Sequence, residues 1–106
     1  MLYAQLNDTD QAVEYWQQAL ALRPDYPEVL NNLGVLFVRQ GRTAEAQEQF
    51  QKAIRVAADF DQPYLNLAQL YMTLGEKTQA REILQQWLAR HPEHAAARSM
   101  LEQLSQ

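Results

Sequence analysis

Cysteine is absent from the sequence, glycine and proline are scarce, and no long apolar run occurs. The absence of cysteine excludes disulfides, thiolate nucleophiles and metal sites that use cysteine ligands. The longest apolar runs fall far short of the roughly 20 residues that a membrane-spanning helix needs. What remains is rich in Ala, Leu, Gln and Glu, which are good helix formers. The composition favours an all-α fold, and we find no strand candidate.

Basic residues are also in short supply, since the chain has a net charge of −4 and a pI of about 5.0. Nucleic-acid binding depends on clustered Lys and Arg, and an anionic membrane surface attracts polybasic patches. We therefore expect neither nucleic acid nor membrane insertion among its interactions. Met1–Asp10 has no basic start and no apolar core typical of a signal peptide. The default expectation is a cytoplasmic protein, although the compartment stays open.

A repeat of 34 residues runs through the chain. One aromatic series, one alanine series and one large apolar series share this step: Tyr3, Phe37 and Tyr71; Ala12, Ala46 and Ala80; and Trp16, Phe50 and Leu84. A constant period of this length is typical of stacked supersecondary units. Such stacks bind partners on an extended surface rather than in a catalytic pocket. The length of 106 residues allows a single domain of this kind.

Asn7, Gly41 and Gly75 follow the same step, and we interpret them as residues that end helices, because Asn and Gly tolerate left-handed backbone. Pro24 and Pro92 separate successive units. Apolar residues recur at helical spacing between these points. The pattern predicts a short helix at residues 1–6, followed by helices near 9–22, 27–40, 43–57, 61–74, 77–90 and 93–104.

The repeated residues resemble those of the tetratricopeptide repeat (TPR) family, whose pattern combines Leu-Gly, an aromatic, two small Ala positions and a Pro. The second unit supplies Leu30, Leu33, Gly34, Phe37, Ala46, Phe50 and Ala53, and the third supplies Tyr64, Leu67, Ala68, Tyr71, Ala80, Leu84 and Pro92. The first supplies Tyr3, Ala12, Trp16, Ala19 and Pro24. The resemblance implies an all-α, right-handed superhelical stack of antiparallel helix pairs. It predicts a partial repeat at 1–26, full repeats at 27–60 and 61–94, and a capping helix at 95–106.

The two ends of the stack differ from the family pattern. Trp87 stands where a second small Ala is expected, and Ala95, Ala96 and Ala97 could leave room for its indole. The first unit lacks its opening positions, which leaves an apolar edge for self-association. This edge is predicted to consist of Leu2, Val13, Trp16 and Leu20.

The resemblance also implies where a partner binds, because the first helix of each TPR unit lines the concave side. Asn32 and Asn66 are 34 residues apart and would form a ladder able to hold a peptide main chain. The predicted concave face consists of Glu28, Asn31, Asn32, Val35, Val38, Arg39, Gln62, Leu65, Asn66, Gln69, Met72 and Thr73. The family's carboxylate clamp for chaperone C-termini needs basic residues here. Since only Arg39 and Arg98 are candidates, we do not expect that specificity.

Two acidic and histidine-containing segments suggest chemistry but are interpreted as structural. His91 and His94 are the only histidines, too few for a zinc site, and lie in a turn between repeats. Asp59 and Asp61 are interpreted as solvated helix caps, as are Asp8 and Asp10. We therefore predict no catalytic residues, no metal and no cofactor.

The sequence thus predicts a non-catalytic scaffold that binds a peptide or a partner's helix in its concave groove. Two alternatives stay open at this stage. The chain could self-assemble through its N-terminal edge, or it could be part of a larger multidomain bacterial protein.

Overall fold

Six α-helices and no β-strand occur in residues 2–105, the part of the chain that the computed structural model describes. Side chains are described from residue 10 to residue 105. The helices are α1 (Leu2–Leu22), α2 (Pro27–Arg39), α3 (Thr43–Val56), α4 (Asp61–Thr73), α5 (Lys77–Arg90) and α6 (Ala95–Leu104). The connections are short, and α1 packs on α2, α2 on α3, α4 on α5 and α5 on α6. None of these helices combines the length and apolar character needed to cross a membrane.

Gly41 and Gly75 end α2 and α4, as the sequence predicts. Their φ angles are 74° and 78°, in the left-handed region that a Cβ disfavours. The Gly41 amide donates to the Val38 carbonyl at 3.0 Å, and the Arg42 amide donates to the Phe37 carbonyl at 2.8 Å. This pair of bonds is the Schellman motif, which satisfies carbonyls left open at a helix end.

The same two bonds recur after α4. The Gly75 amide donates to the Met72 carbonyl at 3.1 Å, and the Glu76 amide donates to the Tyr71 carbonyl at 2.8 Å. Both glycines therefore end the first helix of a pair in one geometry. The repeat in the sequence is matched by a repeat in backbone hydrogen bonding.

The start of the chain differs from the sequence prediction. A helix ending near residue 6 and a second one beginning near residue 9 were expected, but α1 runs without interruption from Leu2 to Leu22. Asn7 therefore does not end a helix, and Asp8 and Asp10 do not cap one. An internal Asn costs a helix only a few tenths of a kcal/mol relative to better formers, so it does not force a stop as a left-handed glycine does. Asp10 instead accepts a hydrogen bond from Gln40 Nε2 at 3.2 Å, which joins α1 to the end of α2.

The chain divides into two compact units. The first contains α1–α3 and ends at Ala58, and the second begins at Asp59 and contains α4–α6. The first unit is built around close contact between α2 and α3. A Cβ placed on Gly34 would lie 2.5 Å from Phe50 Cε1, so only glycine allows this approach. Phe50 is 1% exposed, and Ala46 and Ala53 beside it on α3 are fully buried.

The second unit repeats this design with different residues. Ala68 on α4 and Ala80 on α5 are fully buried, and Leu84 fills the position of Phe50. Trp87 is also buried, and its ring lies 4.9 Å from that of Tyr64. The third helix of the unit, α6, adds Ala97 and Leu104 to the same core.

Candidate functional site

The outward face of α2 is a stripe of residues spaced along the helix opposite its core. Leu30, Leu33, Gly34 and Phe37 form the buried side. Since each residue turns the helix by about 100°, the opposite side carries positions 28, 32, 35 and 39. We call this set the α2 stripe: Glu28, Asn32, Val35 and Arg39. All four are exposed or half-exposed, and Asn32 is at their centre.

Asn31 does not belong to this surface, although the sequence analysis placed it there. Its side chain is only 3% exposed, and it is the buried polar residue of the described core. The position lies about 100° from Asn32, toward the flank of α2, which explains why neighbouring asparagines differ so much in exposure. Val38, two turns further along the same flank, is 42% exposed.

The outward face of α4 repeats the stripe one period later. Its core side contains Tyr64, Leu67 and Ala68, and the opposite side carries positions 62, 66, 69 and 73. We call this set the α4 stripe: Gln62, Asn66, Gln69 and Thr73. Gln62, Gln69 and Thr73 are exposed and Asn66 is half-buried, while Leu65 and Met72 are half-buried beside them.

The two stripes offer amide and hydroxyl groups rather than a concentrated charge. Glu28 lies in the first turn of α2 and Arg39 in its last, so each charge is placed where it interacts favourably with the helix dipole. The α4 stripe contains no ionisable residue. The Thr73 hydroxyl donates to the Gln69 carbonyl at 3.0 Å and so is held against its own helix. Such a surface suits neutral hydrogen-bonding groups better than carboxylates.

The predicted apolar edge on α1 is only partly exposed. Val13 is 6% exposed and belongs to the core, so its inclusion in an exposed edge was wrong. Trp16 and Leu20 are half-buried, and the side chain of Leu2 is outside the described residues. Among residues 10–22 of α1, the large apolar side chains that are exposed are Tyr15, at 64%, and Leu22, at 88%. Neither of these two residues belongs to the edge predicted from the sequence.

The second unit contains a polar cluster that the sequence analysis did not assemble. Asp59 accepts a hydrogen bond from Arg90 Nη2 at 2.6 Å, and its Oδ1 lies 3.4 Å from His91 Nε2. Asp61 Oδ2 lies 3.0 Å from His94 Nε2. The histidines lie in the turn between α5 and α6, as predicted, and they are also partners of the aspartates. Neither aspartate is the N-cap of α4, since that position is occupied by Phe60. The sequence spacing could have indicated these pairs, because the partners within them are 32 and 33 residues apart, close to one repeat.

Trp87 lies against this cluster. The His91 ring stacks on the indole at 3.9 Å with an angle of 24°, and the His94 ring meets it edge-on at 5.5 Å. Its Nε1 atom is buried and has no hydrogen-bond partner among the described residues. Burial also raises the pKa of the neighbouring Tyr64 hydroxyl, an effect that nearby Arg90 opposes. The cluster therefore surrounds an aromatic core and is part of how the second unit is held together.

A groove in the second unit and an ion pair in the first are further candidate sites. A groove of about 350 Å³ between α5 and α6 is lined by Leu88, Pro92, Arg98, Leu101, Glu102 and Ser105. Within residues 10–105, no three His, Asp or Glu side chains are grouped so that they could hold a metal ion.

In the first unit, Arg42 donates to Glu45 through Nε at 2.7 Å, and this bond lowers the pKa of the carboxyl. That exposed pair lies beside Phe37, whose ring is 4.3 Å from the guanidinium carbon.

The helix pairs, their glycine-ended first helices and the Gly34–Phe50 contact are features of a repeat family, and comparison with family models identifies it. A tetratricopeptide repeat model matches residues 37–104, and a second TPR model matches residues 2–41. The chain belongs to the tetratricopeptide repeat family. Members of this family are in general non-catalytic interaction modules. No curated protein matches the chain.

Solved TPR structures share the fold. A tetratricopeptide repeat protein from Parabacteroides merdae is 28% identical with a TM-score of 0.83, over 96% of this chain and 41% of that one. The first TPR of Spaghetti (RPAP3), bound to the HSP90 peptide SRMEEVD, is 17% identical with a TM-score of 0.80, over 97% of this chain and 82% of that one. The Sgt2 TPR domain from Aspergillus fumigatus is 18% identical with a TM-score of 0.80, over 96% of this chain and 69% of that one. These likenesses show that the chain has a TPR solenoid fold.

Proposed function

We propose that this TPR protein is a non-catalytic scaffold that binds extended peptide main chain, through the α2 stripe on its first unit and through the α4 stripe on its second. The observation that carries the proposal is the recurrence of an amide at the centre of each stripe, Asn32 on α2 and Asn66 on α4, on helices with the same core pattern. A carboxamide offers two donor hydrogens and an acceptor oxygen. When one of these groups is bound within the protein, the other groups of the same carboxamide can still bind a ligand.

The chemistry of the stripes indicates the kind of ligand. Amides bind the N–H and C=O groups of a peptide main chain, which every sequence presents, so selectivity must come from neighbouring side chains. Val35 on α2 and Leu65 and Met72 on α4 are half-buried apolar groups suited to that role. Because a folded helical repeat is rigid before it binds, the ordering cost falls mainly on the peptide.

The RPAP3 domain is bound to the peptide SRMEEVD, in which three of the last four residues are acidic. Here the stripes contain a single basic residue, Arg39, and the α4 stripe has none. A ligand with several carboxylates would lose their hydration without gaining paired charges. We therefore propose a largely neutral peptide segment as the partner.

The test compares three forms of the chain in a quantitative pull-down from the source organism's lysate. The wild type is compared with Asn32→Ala/Asn66→Ala and with the control Gln85→Ala/Gln86→Ala, which removes two exposed amides from α5 instead. We expect a protein captured by the wild type and the control to be lost with the stripe variant. Calorimetry with the captured segment should then show a loss of about 1 kcal/mol for each amide removed.

Circular dichroism provides the folding control, because Ala is a better helix former than Asn and should not reduce helicity. If the stripe variant keeps its helicity and still binds the partner with wild-type affinity, the assignment to these stripes is wrong. If the variant and the control lose binding equally, the contact surface is not specific to α2 and α4.

A second candidate function is self-assembly through α1. Tyr15 and Leu22 are large apolar side chains that are 64% and 88% exposed on this helix, and such groups are typical of surfaces that another chain covers. Light scattering after gel filtration tests it over a range of protein concentrations. Self-assembly predicts a mass that rises with concentration and returns to the monomer value in a Tyr15→Ser/Leu22→Ser variant. A mass of 12.3 kDa at every concentration would exclude it.

A further inference from the structure

A histidine side chain caps the first turn of α6. His94 is the N-cap of this helix, and its Nδ1 atom accepts the backbone N–H of Ala97 at 3.3 Å. An imidazole nitrogen can accept a hydrogen bond only when it carries no proton. This bond therefore fixes the tautomer, with Nδ1 unprotonated and the hydrogen on Nε2.

The other ring nitrogen completes the arrangement. His94 Nε2 lies 3.0 Å from Asp61 Oδ2, so in this tautomer it donates to the carboxylate. One neutral ring thus joins the first turn of α6 to the first residue of α4. We propose that His94 is a pH-sensitive cap, and that protonation of its ring in mild acid releases the first turn of α6.

Protonation changes the two sides of the ring in opposite ways. On the Asp61 side it creates an ion pair, which favours the charged ring, but this carboxylate is 41% exposed and water screens its attraction. On the Ala97 side, Nδ1 becomes a donor that faces another donor. A positive charge at a helix N-terminus is also unfavourable to the helix dipole.

Burial decides which side prevails. Ala97 is fully buried, so water does not replace the lost acceptor of its amide while the turn stays closed. A buried backbone N–H without a partner is strongly disfavoured. The turn must therefore open for the amide to be hydrated, which links the charge of His94 to the conformation of α6.

The surroundings of His94 contain few other charges that could take over this role. From α4 the ring is faced by Asp61, and from α5 by the uncharged indole of Trp87. Arg90 and His91 are both bound to Asp59, while Glu93 and Arg98 are the ionisable neighbours in sequence. His91 is a second imidazole in the same cluster, so the experiment must separate the two.

Amide hydrogen exchange of the whole chain, measured by NMR, tests the proposal. We expect the protection factor of the Ala97 amide to fall about fivefold or more between neutral pH and about pH 5, because a typical side-chain cap contributes an equilibrium constant of this size. The ¹⁵N shifts of His94 should report the Nε2–H tautomer at neutral pH and a doubly protonated ring after the transition.

Three variants separate the contributions. In His94→Asn the cap is kept by a residue that does not titrate, so the protection of Ala97 should no longer depend on pH. In Asp61→Asn the charged ring loses its partner, so the transition should move to lower pH. In the matched control His91→Gln, the wild-type response should remain.

Two results would overturn the proposal. One is an unchanged protection factor at Ala97 while the ¹⁵N shifts show that His94 has become protonated. The other is a pH response that persists in His94→Asn or disappears in His91→Gln, which would assign the effect to another group.

Discussion

At the residue scale, the contact between Gly34 and Phe50 determines how closely α2 and α3 approach. The ring occupies the space that a Cβ on residue 34 would need, with its Cε1 and Cδ1 atoms 2.5 Å and 2.7 Å from that position. Phe50 is 1% exposed, so the ring has little room to move away. Gly34 and Phe50 therefore pack as a pair, and a change of size at one position requires a compensating change at the other.

This packing leads to a prediction for Gly34→Ala. We expect it to lower the free energy of unfolding by about 1–3 kcal/mol, the usual cost of overpacking a core, even though Ala favours helix. Urea denaturation followed by circular dichroism measures the change. A smaller side chain at residue 50 should relieve the clash, so Gly34→Ala should cost less in a Phe50→Leu background. Additive effects in this double-mutant cycle would show that the two residues do not interact as described.

Residue exposure was only partly predictable from the repeat. Asn31 and Asn32 have the same chemistry and adjacent positions, yet one is buried and the other exposed. The sequence pattern predicted the core positions Leu30, Leu33 and Phe37 correctly, because their spacing is that of one helix face. It did not resolve the flanks of the helix, where exposure depends on which neighbouring helix covers them.

At the element scale, helix ends were predictable where the backbone needs a special conformation. Gly41 and Gly75 adopt positive φ and end α2 and α4 with the same pair of hydrogen bonds. Asn7 occupies the equivalent position in the repeat, but α1 continues through it. A residue that only tolerates the left-handed region permits a helix to end there without requiring it, so the repeat alone could not locate the start of the chain's second predicted helix.

The polar cluster of the second unit was not predictable, because its contacts join residues that are distant in the sequence. Asp59 and Asp61 are far in sequence from His91 and His94, and their roles depend on partners that only the fold brings near. Considered alone, an aspartate before a helix indicates a cap. The structure instead uses a histidine as the N-cap of α6 and an aspartate as its partner.

The outward face of α6 differs from that of α2 at equivalent positions of the repeat. Counting back two repeats, Arg98, Glu102 and Ser105 occupy the places of Leu30, Gly34 and Phe37, which α2 uses to contact α3. A glutamate at the position of Gly34 would prevent another helix from approaching as closely as α3 does. This side of α6 is therefore polar, and its role as a capping helix stays a prediction.

At the scale of the whole molecule, each compact unit has its own buried core. The first is centred on Phe37 and Phe50, and the second on Tyr64, Leu84 and Trp87. In a helical repeat protein, stability is approximately a sum of contributions from units and their neighbours, so one unit can lose structure before another. A single two-state transition is thus not assured for the chain.

The last prediction follows from this division. Phe50→Ala should destabilise the first unit by about 3–5 kcal/mol, because it leaves a cavity beside Gly34 and the fully buried alanines of α3. We expect the second unit to be affected much less. Hydrogen exchange followed by mass spectrometry should then show loss of protection in residues 10–58, with residues 59–105 retaining most of theirs. The matched variant Leu84→Ala should produce the opposite pattern. Equal loss of protection in both units for either variant would show that the chain unfolds as one cooperative body.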